Sequence, residues 1–468
     1  MSVGRFARHA WADLDMDPAL LDMVDDQERP VPLPSSLAVG ELAWDSVAIA
    51  SVMLGQAGAD GGLDTRRVAL DPERIAAAYT SERHFRLDGE PVEPWAPFSG
   101  FWRAADGWVR THANYTHHAR RLLEVLGLAS STDRASLERA IGRWRTTELE
   151  DAAAEHGALA FAVRTPQEWT ATEQGGHRGH PWLRCAVTGD APPRDRRTPP
   201  RTNQPLAGVR VLDLTRVIAG PVAGRTLALA GADVLRVDPP ALVEPEWQHL
   251  DSGHHKRSTL LDLRSKTGSD SFAALAASAD ILLLGYAPEA LARLHLDPAS
   301  VADRFPGLVS GYVSAWSPEG PWARRRGFDS LVQAASGIAM VESRDGQRPG
   351  VMPAQALDHS TGYMLAAATV GLWLKQLREG GTRTVSMSLQ SCAEALLHHR
   401  PDCAPDSTAR SGRASGAMTP EALASHLVDL SGPAGTVTTP APAVGIAGGL
   451  GVYGRAATPW GADAAEWL

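Results

Sequence analysis

The residues with the clearest potential for chemistry lie in two short segments of the second half of the chain. Asp358 stands at the start of a predicted helix over residues 360–378, where unpaired backbone amides and the helix dipole favour a carboxylate. His255, Lys256 and Arg257 form a basic run directly before a predicted strand. Such a carboxylate suits nucleophilic or acid–base chemistry, and such a basic run suits a phosphate. The alternatives are a helix N-cap for Asp358 and a solvated charge cluster for the basic run.

The first strand–helix turn, LDLTRVIAGPVAG, does not have the glycine pattern of a dinucleotide site. Its glycines are Gly220 and Gly224, and Pro221 removes a backbone amide that a pyrophosphate would use. NAD and FAD are therefore not expected as cofactors.

The metal-ligating residue types also form no defined ligand set. His112, His117 and His118 have no carboxylate or thiolate partner at a useful spacing, so structural or surface histidines are expected and no metal site. The three cysteines are an odd number without metal-like spacing, which predicts reduced thiols rather than a disulfide framework.

A regular alternation of short apolar strands and helices occupies the centre of the chain, and it must position these residues. The predicted strands cover residues 208–214, 233–240, 258–263, 280–286 and 308–315, and the helices between them include 222–232 and 271–279. Alternation of this kind implies a parallel sheet covered on both faces. The fold class expected is therefore α/β, a doubly wound parallel-sheet domain.

The N-terminal part has a different pattern, typical of a smaller α+β unit. Asp106-Gly107 lies between two aromatic strand-like runs in 100–112 and indicates a hairpin, and amphipathic helices follow. Two Pro/Arg-rich stretches separate the parts of the chain. The predicted division is an N-terminal extension at 1–35, a small α+β domain at 36–190, a linker at 191–204, the α/β domain at 205–400 and a tail at 401–468.

The charge pattern limits the partners. The chain of 468 residues carries a net charge of −9, with acidic and basic residues interleaved. Nucleic acids and anionic membranes require a basic face, so neither is expected as a partner. No apolar run approaches the length of a signal peptide or a membrane span, which makes the cytoplasm the expected location.

Four segments together resemble the family III CoA transferases, which include formyl-CoA and carnitine CoA transferases and α-methylacyl-CoA racemase. They are PLAGVRVLDLTRVIAGPVAGRTLALAGADVLRVDPP (205–240), GHHKRSTLLDLRS (253–265), GFDSLVQAASGIA (327–339) and ALDHSTGYMLAAATVGLWL (356–374), in family order within 205–397. The segment WAPFSGFWRAADGWVRTHANYTHHARRLLEVLGL is similar to the small domain that normally follows the CoA domain, but here it precedes it. A circular permutation or an eroded tandem fusion would give this order.

The resemblance implies a function and a set of site residues. It makes coenzyme A, as acyl-CoA, one substrate and a carboxylic acid the other, with Asp358 as the nucleophile that forms an aspartyl-CoA thioester. It places His255, Lys256 and Arg257 where the family contacts the phosphates of CoA. Arg216, directly after the first strand, is a further candidate contact of CoA, and Gly362 would let substrate approach the backbone closely. A homodimer is also implied.

Three departures from the family pattern keep alternatives open. Phe328 stands where the racemases have a histidine, so that a two-base proton exchange lacks its second base. Ala287 replaces an arginine expected to contact CoA, and the segment 88–100 replaces a glycine-rich loop. An isomerase, racemase or dehydratase with Asp358 as a base, and a degenerate CoA-binding protein without activity, are therefore the alternative functions.

Overall fold

The computed structural model describes residues 2–26, 29–64, 66–177, 181–399, 418–446 and 449–468. Most of the second Pro/Arg-rich stretch and Cys403 lie outside the described residues. The helices are α1 (Arg5–Asp13), a 3-10 helix (Pro18–Met23), α2 (Val39–Asp60), α3 (Pro72–Tyr79), α4 (Ser81–His84), α5 (Thr116–Val125), α6 (Arg134–Ile141), α7 (Thr146–His156), α8 (Pro166–Ala171), α9 (Glu173–Gly176), α10 (Ala219–Leu229), α11 (Glu246–Ser252), α12 (Lys266–Ala276), α13 (Pro288–Arg293), α14 (Pro298–Arg304), α15 (Asp329–Ser336), α16 (Ile338–Val341), α17 (Ala356–Glu379), α18 (Leu389–His398) and α19 (Pro420–Ala424).

The strands form three sheets. They are β1 (Arg86–Leu87), β2 (Glu90–Pro91), β3 (Gly100–Arg103), β4 (Trp108–Thr111), β5 (Ala160–Ala162), β6 (Arg184–Gly189), β7 (Arg210–Leu214), β8 (Asp233–Asp238), β9 (Arg257–Leu260), β10 (Ile281–Leu284), β11 (Val309–Ser314), β12 (Thr382–Ser388), β13 (Leu427–Gly432) and β14 (Gly435–Pro440). The predicted α/β fold is confirmed, and each central strand predicted from the sequence is present within a few residues of its expected bounds.

A seven-stranded sheet with the order β6-β12-β11-β10-β7-β8-β9 forms the centre of the structure. Strands β7 to β12 run parallel, and β6 pairs antiparallel with β12 at one edge. From β7 the chain first builds β8 and β9 on one side and then returns to build β10 on the other. The side of the sheet on which strands are added therefore changes between β7 and β10. In folds of this topology, ligands usually bind in the crevice at the carboxyl ends of the two strands where this change occurs.

Alternate residues of the central strands enter two different apolar cores. In β10, Ile281 and Leu283 pack into the larger core with α2, α10 and α17, whereas Leu282 and Leu284 pack into a second core with α12 to α14. All four side chains are fully buried. A sheet with both faces covered explains why its strands read as continuous apolar runs rather than alternating ones.

Two elements that precede the linker are part of this central unit. The α2 helix packs along α17, and Met53 of α2 comes within contact distance of Gly371. Strand β6 adds the antiparallel edge strand to the large sheet. The side chains of the 191–204 linker also bind the body of the protein, since Arg194 donates to the carbonyl oxygen of Ala279 over 2.7 Å. The domain boundaries given above stay a prediction.

The smaller sheets lie at the periphery. Strands β3, β4 and β5 form an antiparallel sheet backed by α5, α6 and α7, and the hairpin predicted at Asp106-Gly107 joins β3 to β4. Strands β13, β14, β1 and β2 form another. The tail packs on the body through two tryptophans: Trp460 donates to Asp238 over 3.0 Å, and Trp467 donates to the carbonyl oxygen of Leu275 over 3.3 Å. Within the described residues, no helix has both the length and the apolar character needed to cross a bilayer.

Candidate active site

Two helix N-termini converge on the carboxyl group of Asp358. Helix α17 begins at Ala356, four residues before its predicted start, so Asp358 lies inside the first turn of the helix. Its carboxyl group accepts a hydrogen bond from the backbone N–H of Ala219, the first residue of α10. Helix α10 follows β7, so this carboxyl group lies beside the carboxyl ends of β7 and β10, where the strand order changes side. The side chain is 6% exposed. Both helix dipoles favour a negative charge at this point.

Asp329 is the residue that satisfies the first amides of α17. It is the first residue of α15, and its carboxyl group accepts hydrogen bonds from the backbone N–H groups of Leu357 and Asp358. The side-chain amide of Gln333 donates to the same carboxyl group. The simple N-cap alternative for Asp358 is therefore wrong, because the capping acceptor comes from another helix.

The two carboxyl groups form a buried acidic pair. Burial raises the pKa of Asp358 well above its usual range, and the nearby charge of Asp329 raises it further, against the opposing effect of the Ala219 N–H. Burial also raises the pKa of Asp329, while Gln333 and the α17 amides counteract this. Since like charges disfavour double ionisation, the pair titrates as a unit that retains a proton above the usual carboxyl range.

A narrow cleft lies next to this pair. Helix α4, the β7–α10 loop and helices α10, α11 and α17 enclose it. The residues that line it are Ser81, Glu82, Val217, Ile218, Val222, Arg225, Trp247, Gln248, Asp251, Ser252 and His359. Val217 has a φ of +72°, a conformation that a β-branched residue adopts only at a cost. Strain of this kind concentrates at functional sites, where the surrounding structure enforces it.

His359, the residue directly after Asp358, lines this cleft. The imidazole is 2% exposed and stacks on Tyr79 with ring centroids 5.0 Å apart. Its Nδ1 has no hydrogen-bond partner. Burial and the nearby charge of Arg225 lower the pKa of His359 to about 3, so the ring is neutral at physiological pH. A neutral imidazole beside Asp358 offers both a donor and an acceptor to a bound group.

Glu82 contributes a further carboxyl group to the cleft. Its Oε2 is buried and has no hydrogen-bond partner. Burial raises the pKa of Glu82 to about 7, with smaller contributions from Arg83, which lowers it, and from Asp251 and Asp329, which raise it. The cleft therefore contains an acid that changes its charge near neutral pH.

The basic residues expected at CoA all have partners within the protein. The ammonium group of Lys256 is buried and donates to Asp213 over 2.9 Å and to the carbonyl oxygen of Pro221 over 2.8 Å. The guanidinium of Arg257 donates to Asp233 over 2.8 Å and to the carbonyl oxygen of Glu466. A phosphate at either residue would have to compete with these groups.

Arg216 and His255 are likewise occupied. Arg216 donates to Glu244 over 2.6 Å, and its guanidinium lies over the ring of Tyr115 at 5.0 Å. His255 has a φ of +65°, and its Nε2 accepts a hydrogen bond from the N–H of Gly454 over 2.7 Å. Their roles toward CoA stay predictions.

The space beside Gly362 is filled by helix α10. A Cβ at this position would lie 2.5 Å from the carbonyl oxygen of Ala219 and 2.8 Å from Cβ of Val222. The glycine thus permits the close packing that brings the Ala219 N–H to Asp358. This packing explains the residue without a substrate, and its proposed contact with substrate stays a prediction.

Phe328, the residue at the racemase histidine position, stacks on a histidine of the small sheet. The rings of Phe328 and His112 have centroids 3.8 Å apart and an angle of 10° between their planes. His118 also contacts Phe328, edge to face at 5.9 Å. Burial lowers the pKa of His112 to about 3. Among the described residues, these histidines form no group of metal-ligating atoms; one such group exists elsewhere, at Asp71, Glu73 and His426.

Residues 206–429 match the family model for CoA-transferase family III. This part of the chain is similar to family III CoA-transferase domains. The matched region contains Asp358, Asp329 and His359, whereas Glu82 and the small sheet lie outside it.

Curated relatives of the CoA-transferase domain are similar over comparable stretches. A probable fatty acyl-CoA transferase of Mycobacterium tuberculosis is 30% identical over 206 residues, which cover 41% of this chain and 52% of the relative. A succinate–glutarate CoA-transferase of Agrobacterium fabrum is 28% identical over 216 residues, covering 42% and 54%. A crystal structure of a hypothetical protein of M. tuberculosis is 30% identical, with a TM-score of 0.40 and coverage of 42% and 57%. The chain spans about half the length of the curated relatives it matches.

Three residues around the Asp358 carboxyl group were not identified as site residues from the sequence. Asp329 belongs to the segment Gly327-Phe328-Asp329, whose departure from the family pattern is Phe328 in place of the racemase histidine. His359 is next to Asp358, but helix geometry alone does not reveal that it faces a cleft. Glu82 lies in a short helix more than 270 residues away along the chain. The available sequence signal for Asp329 was its position as an acidic residue at the start of a helix.

Proposed function

We propose that this protein moves CoA between an acyl-CoA and a carboxylic acid through a thioester on Asp358. The observation that carries the proposal is the position of the Asp358 carboxyl group: it is buried at the converging N-termini of α10 and α17, in a CoA-transferase domain. The names of the curated relatives, which include CoA-transferases for succinate and glutarate, support the reaction class.

The reaction proceeds by acyl-transfer steps in which no oxidant or reductant is consumed. The carboxylate of Asp358 attacks the thioester carbonyl of the acyl-CoA, the C–S bond breaks, and CoA leaves as a thiolate. The thiolate attacks the aspartyl carbonyl of the mixed anhydride and releases the first acid as a carboxylate. The incoming carboxylate then attacks the aspartyl-CoA thioester, and the thiolate returns to the acyl carbonyl of the new anhydride. This gives the second acyl-CoA and regenerates Asp358.

The protein's contribution to these steps is electrostatic. The Ala219 N–H and the two helix N-termini stabilise negative charge at Asp358, and Asp329 opposes it. The anhydride and thioester forms of Asp358 carry no charge, so the repulsion from Asp329 is relieved when Asp358 reacts. The ionised carboxylate of Asp358 is therefore destabilised relative to its acylated form.

The buried pair of Asp329 and Asp358 also supports a second function. The raised pKa of Asp358 suits a base that removes a proton from the carbon next to the thioester carbonyl and returns it. This one-base isomerase does not need a histidine at Phe328. It would exchange the α-proton of acyl-CoA with solvent but would not form an adduct.

The experiment that separates these functions is the intact mass of the protein after incubation with a panel of acyl-CoAs, with and without hydroxylamine. The transferase predicts a CoA adduct, and a hydroxamate at Asp358 after hydroxylamine treatment. Asp358→Ala should not form it, whereas the exposed control Asp270→Ala should. Absence of the adduct together with α-deuterium exchange in D2O would support the isomerase. CoA binding without either signal would support a degenerate binding protein.

We propose a homodimer, which light scattering of the purified protein tests directly. We also propose the domain boundaries at residues 36, 191 and 205 and a cytoplasmic location; limited proteolysis and fractionation of the source cells test these, respectively.

A further inference from the structure

The narrow cleft that Glu82 and His359 line has space for little more than one water molecule. The volume of this cleft is about 20 Å³. A cavity needs about 10–15 Å³ to hold one water molecule. The apolar side chains of Ile218, Val222 and Trp247 form part of its wall. The cleft therefore suits water, and it is too small for an acyl chain.

The cleft borders the Asp358 carboxyl group from two elements. Ala219 donates its N–H to that carboxyl group, and Ile218, the residue before Ala219, lines the cleft. Val222, one turn further along α10, lines it as well. From α17 the cleft is lined by His359, which directly follows Asp358. A water molecule in the cleft would therefore lie beside the atoms that form the proposed thioester.

Two polar atoms in the cleft have no hydrogen-bond partner among the described residues. They are Oε2 of Glu82 and Nδ1 of His359, and both atoms are buried. Neighbouring polar side chains differ in this respect, because Ser81 donates to the carboxylate of Asp251 and Arg225 to its carbonyl oxygen, each over 2.8 Å. A buried polar atom without a hydrogen bond is costly, and a water molecule is a common partner for such atoms.

We propose that the cleft holds a water molecule between Glu82 and His359, and that the protein hydrolyses acyl-CoA in addition to transferring CoA. Glu82 is the general base of this reaction, and the water attacks the thioester on Asp358. The inference rests on the proposed function, because that function forms the thioester. A carboxylate oxygen accepts a hydrogen bond from the water, and the neutral imidazole orients the water by donating or accepting another.

The hydrolytic step consumes one water molecule and no oxidant or reductant. Glu82 accepts a proton from the water as the water oxygen forms a bond to the aspartyl carbonyl carbon. The C–S bond then breaks, and CoA leaves as a thiolate. The second proton of the water passes from the regenerated Asp358 carboxyl group to this thiolate, and Glu82 returns its proton to solvent. The products are free CoA and the carboxylic acid that left when the thioester formed.

The competing explanation is that Glu82 and His359 bind part of the acyl-CoA. In that case Glu82→Gln would raise KM for acyl-CoA in transfer and hydrolysis alike. A general base for water instead predicts a loss of kcat that is limited to hydrolysis, because transfer needs no proton to be removed at this position.

The pH dependence gives a second way to recognise the base. Burial raises the pKa of Glu82 to about 7. The charged and titratable groups around it are Arg83, Arg225, Asp251, Asp329 and His359. Since a general base acts in its ionised form, the ratio of hydrolysis to transfer should rise with pH and reach its midpoint near pH 7. The ratio removes the ionisation of Asp358, which both reactions share.

The test uses the full chain with acetyl-, succinyl- and octanoyl-CoA. Hydrolysis is the release of free thiol without an added acid, and transfer is the formation of a new acyl-CoA after glutarate or acetate is added. Glu82→Gln should lower kcat for hydrolysis about 100-fold, as expected for the loss of a general base, and should change transfer less than about threefold. Glu82→Asp should retain part of the hydrolysis. Glu138→Gln, at an exposed glutamate, is the control and should change neither reaction.

A single turnover in H₂¹⁸O shows which carbonyl the water attacks. Attack on the enzyme thioester places the label in the Asp358 carboxyl group, and the released acid stays unlabelled. Label in the acid alone would overturn the inference.

The outcomes for hydrolysis and transfer are distinct. If hydrolysis depends on Glu82 but no acid accepts CoA, the proposed transfer fails and the hydrolytic site stands. If transfer occurs without hydrolysis above the spontaneous rate, or if Glu82→Gln lowers both reactions equally, the inference is overturned. If neither reaction occurs, both the proposed function and the inference fail. Thermal unfolding checks the fold of the variants, and the same comparison with Glu82→Asp decides the question if Glu82→Gln does not fold.

Discussion

The Oδ2 atom of Asp329 lies 3.0 Å from the backbone nitrogen of Asp358 and accepts its N–H. The same contact caps helix α17 and places one buried carboxyl group beside another. Because of it, the residue that positions Asp358 also raises its pKa. Structure and reactivity of this site are therefore coupled through a single side chain.

Replacement of Asp329 by Asn should separate these two effects. Asn keeps an acceptor for the Asp358 N–H but removes the negative charge, so the pKa of Asp358 should fall. Whether Asp358 acts as nucleophile or base, its ionised form reacts, and the acid limb of the pH–rate profile should move to lower pH by about one unit or more. The profile of kcat/KM between pH 4 and 9 measures this shift. Asp270→Asn, at an exposed site, should leave the limb in place, and an unmoved limb in Asp329→Asn would contradict the assignment.

Glu82 should make stability depend on pH in a defined window. Its pKa in the folded state is raised to about 7, against 4.5 for an ordinary glutamate. The folded protein therefore binds more protons between these values, and its stability should fall as pH rises through the window. Glu82→Gln removes this penalty, and its advantage over wild type should grow by about 3 kcal/mol from pH 4.5 to pH 8, at about 1.4 kcal/mol per pKa unit. Urea unfolding at both pH values measures it. The exposed Glu138→Gln is the control, and an advantage that does not change with pH would refute the prediction.

Replacement of His359 by Phe should reduce activity more than stability. Phe retains the stacking on Tyr79 but removes the neutral imidazole that faces the cleft. We expect kcat/KM to fall about 100-fold, a typical effect of losing one preorganised polar group at a reacting carbonyl. His254→Phe is a matched control, because His254 is also buried, has no partner at either ring nitrogen and contacts Tyr453, but does not line the cleft. Equal losses in both variants would mean that His359 only packs.

Substitution of Lys256 tests whether this residue stabilises the fold or contacts CoA. Lys256→Met would leave Asp213 as a buried charge without its partner, which typically costs about 3–5 kcal/mol of stability. The double variant with Asp213→Asn should recover most of that loss, because neither charge remains. Denaturant unfolding measures the stability, and KM for acyl-CoA is measured on the double variant. An unchanged KM assigns the pair to the fold, and a large rise in KM would support the predicted contact with CoA.

The fold was readable from the sequence because its signals are local. Strands such as β10 are buried on both faces and appear as continuous apolar runs, and the alternation with helices predicts a parallel sheet. The hairpin at Asp106-Gly107 follows from turn chemistry alone. Asp358 was predicted as a site residue from the family motif around it and from the nearby helix start, and its role stays a prediction.

What the sequence did not determine are the relationships between distant segments. Asp329 and Asp358 are separated by 29 positions, and only the packing of α15 against the start of α17 makes them a pair. Glu82 comes from the N-terminal half and reaches the cleft through the packing of α4. The basic residues at 255–257 look free in the sequence, yet Lys256 and Arg257 are held by Asp213 and Asp233. Secondary structure depends on neighbours along the chain, whereas pKa values, ion pairs and unsatisfied donors depend on burial and on groups that only the tertiary fold brings together.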